Sequence, residues 1–128
     1  MADFDYTVTT SKSFDEAVAA VEARSQEKGF GVLHVHDIQA KLAAKGFDRP
    51  PLKIIEVCQP KFASEFLARD IRTALMLPCP IVVYIQDGTT HISALRPAAI
   101  KDFYPGAGLE DTADAVDVII RSIVDEAK

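Results

Sequence analysis

At 128 residues, with 48% hydrophobic and 26% charged side chains, the chain has the balance of one globular domain over residues 1–128, not of a disordered or low-complexity sequence. Nineteen acidic against 14 basic residues give a net charge of −5, which argues against non-specific attraction to nucleic acid or to an anionic membrane. No apolar run approaches the roughly 20 residues that span a bilayer, and Met1-Ala2-Asp3-Phe4-Asp5 carries neither a basic nor an apolar leader region, so a cytoplasmic protein with two reduced cysteines is expected.

In chain order, Phe4, Tyr6 and Val8 alternate with Asp5, Thr7 and Thr9, the period of a strand with one face buried. Ser13-Phe14-Asp15-Glu16 fits a capping box. The helix that follows carries Phe14, Ala17, Val18 and Val21 on one face and ends at Gly29. Phe30 to His36 reads as the second strand. Asp37 caps a brief helix through Ile38 and Leu42 that Gly46 closes, and Phe47 to Pro51 is a proline-rich loop. Lys53 to Cys58 is the third strand, stopped by Pro60. A third helix with Phe62, Phe66 and Leu67 follows, then a weaker helical turn through Ile71, Ala74 and Leu75.

Leu77-Pro78-Cys79-Pro80 leads into strand four, Ile81 to Ile85, and Gln86-Asp87-Gly88-Thr89 is a hairpin turn into strand five, His91 to Leu95. Pro97 to Gly108 is irregular, with room for one turn of helix. The last helix starts near Glu110-Asp111 and buries Ala113, Val116, Ile119, Ile120, Ile123 and Val124. The order β-α-β-α-β-α-β-β-α contains at least one antiparallel pair. It predicts an α+β two-layer sandwich with a mixed or antiparallel sheet.

A known family shares this pattern. Phe30-Gly31-Val32-Leu33, Asp37-Ile38 with Leu42 and Gly46, Ile54-Ile55-Glu56-Val57-Cys58-Gln59-Pro60 with Ala63, and Leu77-Pro78-Cys79 with Val82-Val83-Tyr84 resemble the bacterial and archaeal family known as domain of unknown function 302. The resemblance runs over almost the whole chain. It implies a two-layer α/β sandwich similar to one half of the TATA-binding-protein fold, and a homodimer. The more usual Cys-Asn-Pro of that family stands here as Cys58-Gln59-Pro60.

Three groups of residues carry candidate chemistry. Cys58 ends one strand and Cys79 begins the next, so their thiols share one end of the sheet if those strands are antiparallel neighbours. Pro60, Pro78 and Pro80 stiffen the backbone beside them. A position before the third helix would lower the Cys58 pKa and favour redox or sulfur-transfer chemistry; the alternative is that both thiols are small buried hydrophobes. Glu56 shares strand alternation with Ile54 and Cys58 and is the candidate proton partner of the thiol. His34-Val35-His36 is a metal-ligand spacing on a strand, with Asp37 and His91 as further ligands to consider, and Val32 on the same face. Tyr84, Phe103, Tyr104 and Arg96 offer an aromatic pocket with a cationic handle, or core and rim.

No complete catalytic constellation is present, so a homodimeric binding or accessory domain is favoured over an enzyme. Its expected site lies around Cys58, Pro60, Pro78 and Cys79, with Tyr84 and Arg96, and holds a small molecule or a partner protein. The cofactor is left unknown. Thiol-dependent redox or sulfur transfer through Cys58 or Cys79, and metal binding through His34 and His36, are the alternatives. Nucleic acid and membrane are not expected partners.

Overall fold

A computed structural model describes residues 3–128; Met1 and Ala2, the start of the leader reading above, lie outside the described residues. Strands β1 (Asp5–Thr10), β2 (Gly31–Asp37), β3 (Leu52–Cys58), β4 (Cys79–Gln86) and β5 (Thr89–Leu95) form one sheet in the order β1-β5-β4-β3-β2, with every neighbouring pair antiparallel. Helices α1 (Phe14–Glu27), α2 (Ile38–Ala43), α3 (Pro60–Arg69), α4 (Ile100–Phe103) and α5 (Glu110–Ala127) complete the α+β sandwich. The element order is the expected one. The weak turn after α3 is a 3-10 segment, Ile71–Met76, and the irregular stretch after β5 holds a second one, Pro97–Ala99, before α4.

Local signals explain most boundaries. Ser13 and Glu16 close the capping box of α1: the Glu16 N–H donates to Ser13 Oγ at 3.2 Å, and the Ser13 N–H donates to Glu16 Oε1 at 3.0 Å. At its other end Gly29, at φ +82°, lets the Phe30 N–H reach the Ser25 carbonyl at 2.9 Å and the Gly29 N–H reach that of Gln26, a Schellman motif. The β4–β5 turn puts both Asp87 (φ +53°) and Gly88 (φ +74°) in the left-handed region, the geometry a two-residue hairpin needs.

Side-chain alternation sets the two faces. Ile55 and Val57 on β3, Cys79, Ile81 and Val83 on β4, and Ile92 and Ala94 on β5 are buried under α1, α3 and α5. Val21, Phe30, Phe66, Val116, Ile120 and Ile123 meet them from the helical layer. Each fully buried Ile, Val or Phe contributes roughly 1.5–3 kcal/mol of transfer free energy, so this layer carries the fold. Among the described residues, the opposite sheet face has no long helix against it. It still presents Ile54, Pro80, Val82, Tyr84 and Leu95, only half-buried, where a simply solvated antiparallel sheet would be polar.

One irregularity decides which residues reach that open face. The β2–β3 register shifts between Val32 and His34, leaving Leu33 as a bulge that is 60% exposed. Val32 therefore sits opposite Val57 on the helical side, while His34 sits opposite Glu56 on the open side. Unbroken alternation would put Val32, His34 and His36 on one face; the extra residue sends Val32 to the other.

Candidate functional site

Two cavities flank the chain between α3 and β4, and Leu77 and Pro78 line both. The first lies on the helical side. Cys58 and Cys79 line it together, closed in by Phe30, Phe62, Phe66 and Val116. β3 and β4 are antiparallel neighbours with Val57 opposite Cys79, which brings the two cysteines to the same end of the sheet. The pocket is narrow and apolar. Burial, and to a lesser extent the charge of Cys58, push the Cys79 thiol up to about 12, and burial also pushes Cys58 up. The position before α3 does not lower the Cys58 pKa: the helix start is occupied by Gln59, whose Oε1 accepts from the Phe62 N–H at 2.9 Å, and desolvation dominates at the thiol. Pro60 occupies the first turn of α3.

The second cavity is a cleft of about 430 Å³ on the open face. Its floor is Ile54, Glu56, Pro80 and Leu95, from three adjacent strands. The 3-10 segment and the residues after it form the opposing wall with Leu75, Met76, Leu77 and Pro78. His36 and Ile38, at the β2–α2 junction, close one end. Only His36 and Glu56 among these are polar. Leu75, on the cleft wall, and Ile71, on the same 3-10 segment, are 83% and 72% exposed, whereas Met76 packs against the core.

His36 and Glu56 are a built pair. His36 Nε2 lies 2.8 Å from Glu56 Oε1, and Lys41 Nζ lies 3.4 Å from His36 Nδ1. An ammonium only donates, so Nδ1 accepts and the Nε2–H donates to Glu56. The His34 ring packs edge-on against His36, with centroids 4.3 Å apart. Glu56 Oε2 takes no hydrogen bond among the described residues. Ser25 Oγ is the one buried side-chain polar atom there without a partner, so Glu56 Oε2 is reached by solvent through the cleft.

The remaining sequence candidates are dispersed. Glu56 and Cys58 line different cavities. Asp37 caps α2, its Oδ1 accepting from the Ala40 N–H, and His91 stacks flat on Tyr84 at 4.9 Å further along the open face, so neither joins His34 and His36. Among the described residues no group of three or more His, Cys, Asp or Glu is placed to hold a metal ion. Arg96 is engaged by Asp117 and Asp3, Tyr104 donates to the Arg72 carbonyl beneath the Arg72 guanidinium, and Tyr84 stacks on His91, so each has partners other than one another. The cleft residues that the sequence does not single out for a site are Ile38, Ile54, Leu75, Met76, Leu77 and Leu95, together with the His36–Glu56 pairing. An antiparallel β2–β3 hairpin, once assumed, is the signal that would have set Glu56 beside the histidines.

The family described as "Domain of unknown function DUF302" matches residues 6–127. Among solved structures, the one described as "Crystal structure of uncharacterized conserved protein DUF302 from Bacillus stearothermophilus" is similar over 99% of this chain and 100% of its own, with 31% sequence identity and a TM-score of 0.93. No curated protein matches. Among the described residues no helix is long and apolar enough to cross a membrane.

Proposed function

Because the chain belongs to the DUF302 family, whose name carries no reaction, we propose its function from geometry: it is a small-molecule-binding domain whose ligand lies in the cleft between the open sheet face and the Ile71–Leu77 segment. The observation that carries this reading is the cleft's composition. About 430 Å³ of space, walled by apolar side chains and converging on the single His36–Glu56 pair, is what a ligand site needs: apolar area for affinity and a few fixed polar groups for orientation. The cysteine pocket supports ligand binding less well, because its thiols are held protonated and its space is small; thiol-dependent catalysis is correspondingly less favoured.

The test is a titration of the full chain with 4-phenylbutanol, followed by backbone amide shifts. Shifts concentrated at Ile54, Met76 and Leu95 support the cleft; shifts centred on Val57, Phe62 and Cys79 would move the site to the cysteine pocket.

The chain is also proposed to act as a homodimer. The half-buried Val82 and Tyr84, on the open face outside the cleft lining, support pairing through that face. Five strands spaced about 4.8 Å apart present a face roughly 24 Å wide. With strands of six to eight residues at about 3.4 Å per residue, the face is roughly 24 by 24 Å, about 600 Å² against the ~800 Å² per partner of a standard interface. Sedimentation of the wild type and of Val82→Glu tests this: a wild type that stays monomeric at tens of micromolar overturns the pairing and leaves the cleft reading intact.

A further inference from the structure

Resting on the cleft reading, we propose that the ligand is an apolar molecule bearing a protonated amine, its ammonium group seated on Glu56. The argument is one of desolvation. An apolar body filling the cleft strips water from Glu56, whose Oε1 is held only by the His36 ring and whose Oε2 has no partner among the described residues. A carboxylate covered in this way is costly unless a counter-charge arrives with the cover.

His36 lines the cleft 2.8 Å from Glu56, but while its Nδ1 accepts from Lys41 it gives the carboxylate a hydrogen bond and no charge. Lys41 reaches only the far ring nitrogen of His36 and is not part of the lining. The ligand must therefore bring the counter-charge. A hydroxyl head would satisfy one lone pair of Oε2 and leave the charge uncompensated, and a carboxylate head would place two like charges together. His36, fixed between Lys41 and Glu56, holds the carboxylate in one orientation with Oε2 free. The net charge of −5 also favours the approach of a cation over an anion.

Three probes with one body and different heads separate the possibilities: 4-phenylbutylamine, 4-phenylbutanol and 4-phenylbutyrate, titrated into the full chain by calorimetry, with amide shifts to locate each. The amine is expected to bind at Ile54, Met76 and Leu95 at least about tenfold tighter than the alcohol, the scale of a hydrogen bond to a charged group. The butyrate should be weakest. In Glu56→Gln the amine should fall to within about threefold of the alcohol, and in Glu56→Asp part of the preference should return. Equal binding of all three heads in the cleft overturns the amine and leaves the cleft standing. No cleft shift with any probe overturns the cleft reading itself. A Glu56→Gln protein that keeps the preference removes Glu56 as the recognising group. The wild-type series needs no variant, so a variant that fails to fold does not spare the proposal.

Discussion

Asp117→Asn keeps the volume of the side chain and removes its charge at the most heavily used carboxylate in the fold. Asp117 is 2% exposed and accepts four hydrogen bonds: Oδ1 from Arg96 Nε at 3.3 Å and the Ala98 N–H at 3.2 Å, and Oδ2 from Arg96 Nη2 at 3.0 Å and Arg121 Nε at 2.9 Å. In the variant one of these oxygens becomes an NH₂ that only donates, so two donors lose their acceptor whichever way the amide turns. Breaking a buried charge pair costs about 3–5 kcal/mol. The Arg96 and Arg121 side chains keep 23% and 40% of their surface, which lets water take over part of the lost contact, so the low end is expected. A loss of about 3 kcal/mol, divided by an unfolding entropy of roughly 2.1 cal/mol/K per residue, lowers Tm by about 11 °C.

The pH dependence has a definite sign. Burial alone would push the Asp117 carboxyl up; the Arg96 guanidinium, the Ala98 N–H and Arg121 outweigh it and hold the group below its ordinary 3.8. A depressed folded pKa contributes stability that is complete above the unfolded value and is lost as pH falls through the folded one. The gap between wild type and variant should therefore be constant from about pH 7 to 5 and narrow only below about pH 4. Urea and thermal melts followed by circular dichroism measure both quantities. A loss under about 1 kcal/mol at neutral pH, the value of an exposed pair, or a gap that closes well above pH 4, would refute the reasoning.

Other expectations follow from single contacts. Ser25 Oγ is buried and unpartnered, so Ser25→Ala should stabilise by about 1 kcal/mol through relief of desolvation and better helix propensity, raising Tm by roughly 4 °C; an unchanged or lowered Tm would mean the hydroxyl is satisfied in solution. Gln59→Ala should cost about 1 kcal/mol by removing the cap on the Phe62 N–H, whereas Gln59→Asn should not, as chemical denaturation will show. A thiol reagent at neutral pH should find Cys79 silent and Cys58 slow in the native chain, with both reacting on unfolding. Because the folded Cys79 pKa is raised, its stabilising contribution is complete below the ordinary 9.0 and is lost as pH climbs towards about 12; a Cys79→Ala protein should lose less stability than wild type over that alkaline window.

The parts of the fold that are legible in the sequence are those written locally. The capping box at Ser13, the Gly29 stop, the Asp87-Gly88 turn and the buried stripe of α5 each depend on residues a few positions apart. Non-local geometry is less accessible. Whether Cys58 and Cys79 share an end of the sheet depended on β3 and β4 being antiparallel neighbours, which alternation alone does not decide. The bulge at Leu33 inverts the relation of Val32 to His34 with no Gly or Pro to announce it. The cleft is assembled from β2, β3, the 3-10 segment, the start of β4 and the end of β5, so no stretch of sequence contains it. The Cys58-Gln59-Pro60 run was visible as a motif, and its middle residue is an N-cap followed by proline in the first turn.

The sheet order has a temporal consequence. β3, β4 and β5 are each laid beside the strand before them, but β1 pairs only with β5, Asp5 opposite Leu95 and Thr10 opposite Thr90. The first of the five strands thus has as its partner the last of them. It must wait for nearly the whole chain, and closing so long a loop slows the search for the native pairing. Even then β1 is anchored from the far end: Tyr6 donates to Asp125, and the Lys12 ammonium, just past the strand, to the Ala127 and Lys128 carbonyls at the tip of α5. The two ends of the described chain are thus fastened to one another, β1 held along its length by β5 and at its end by the tip of α5.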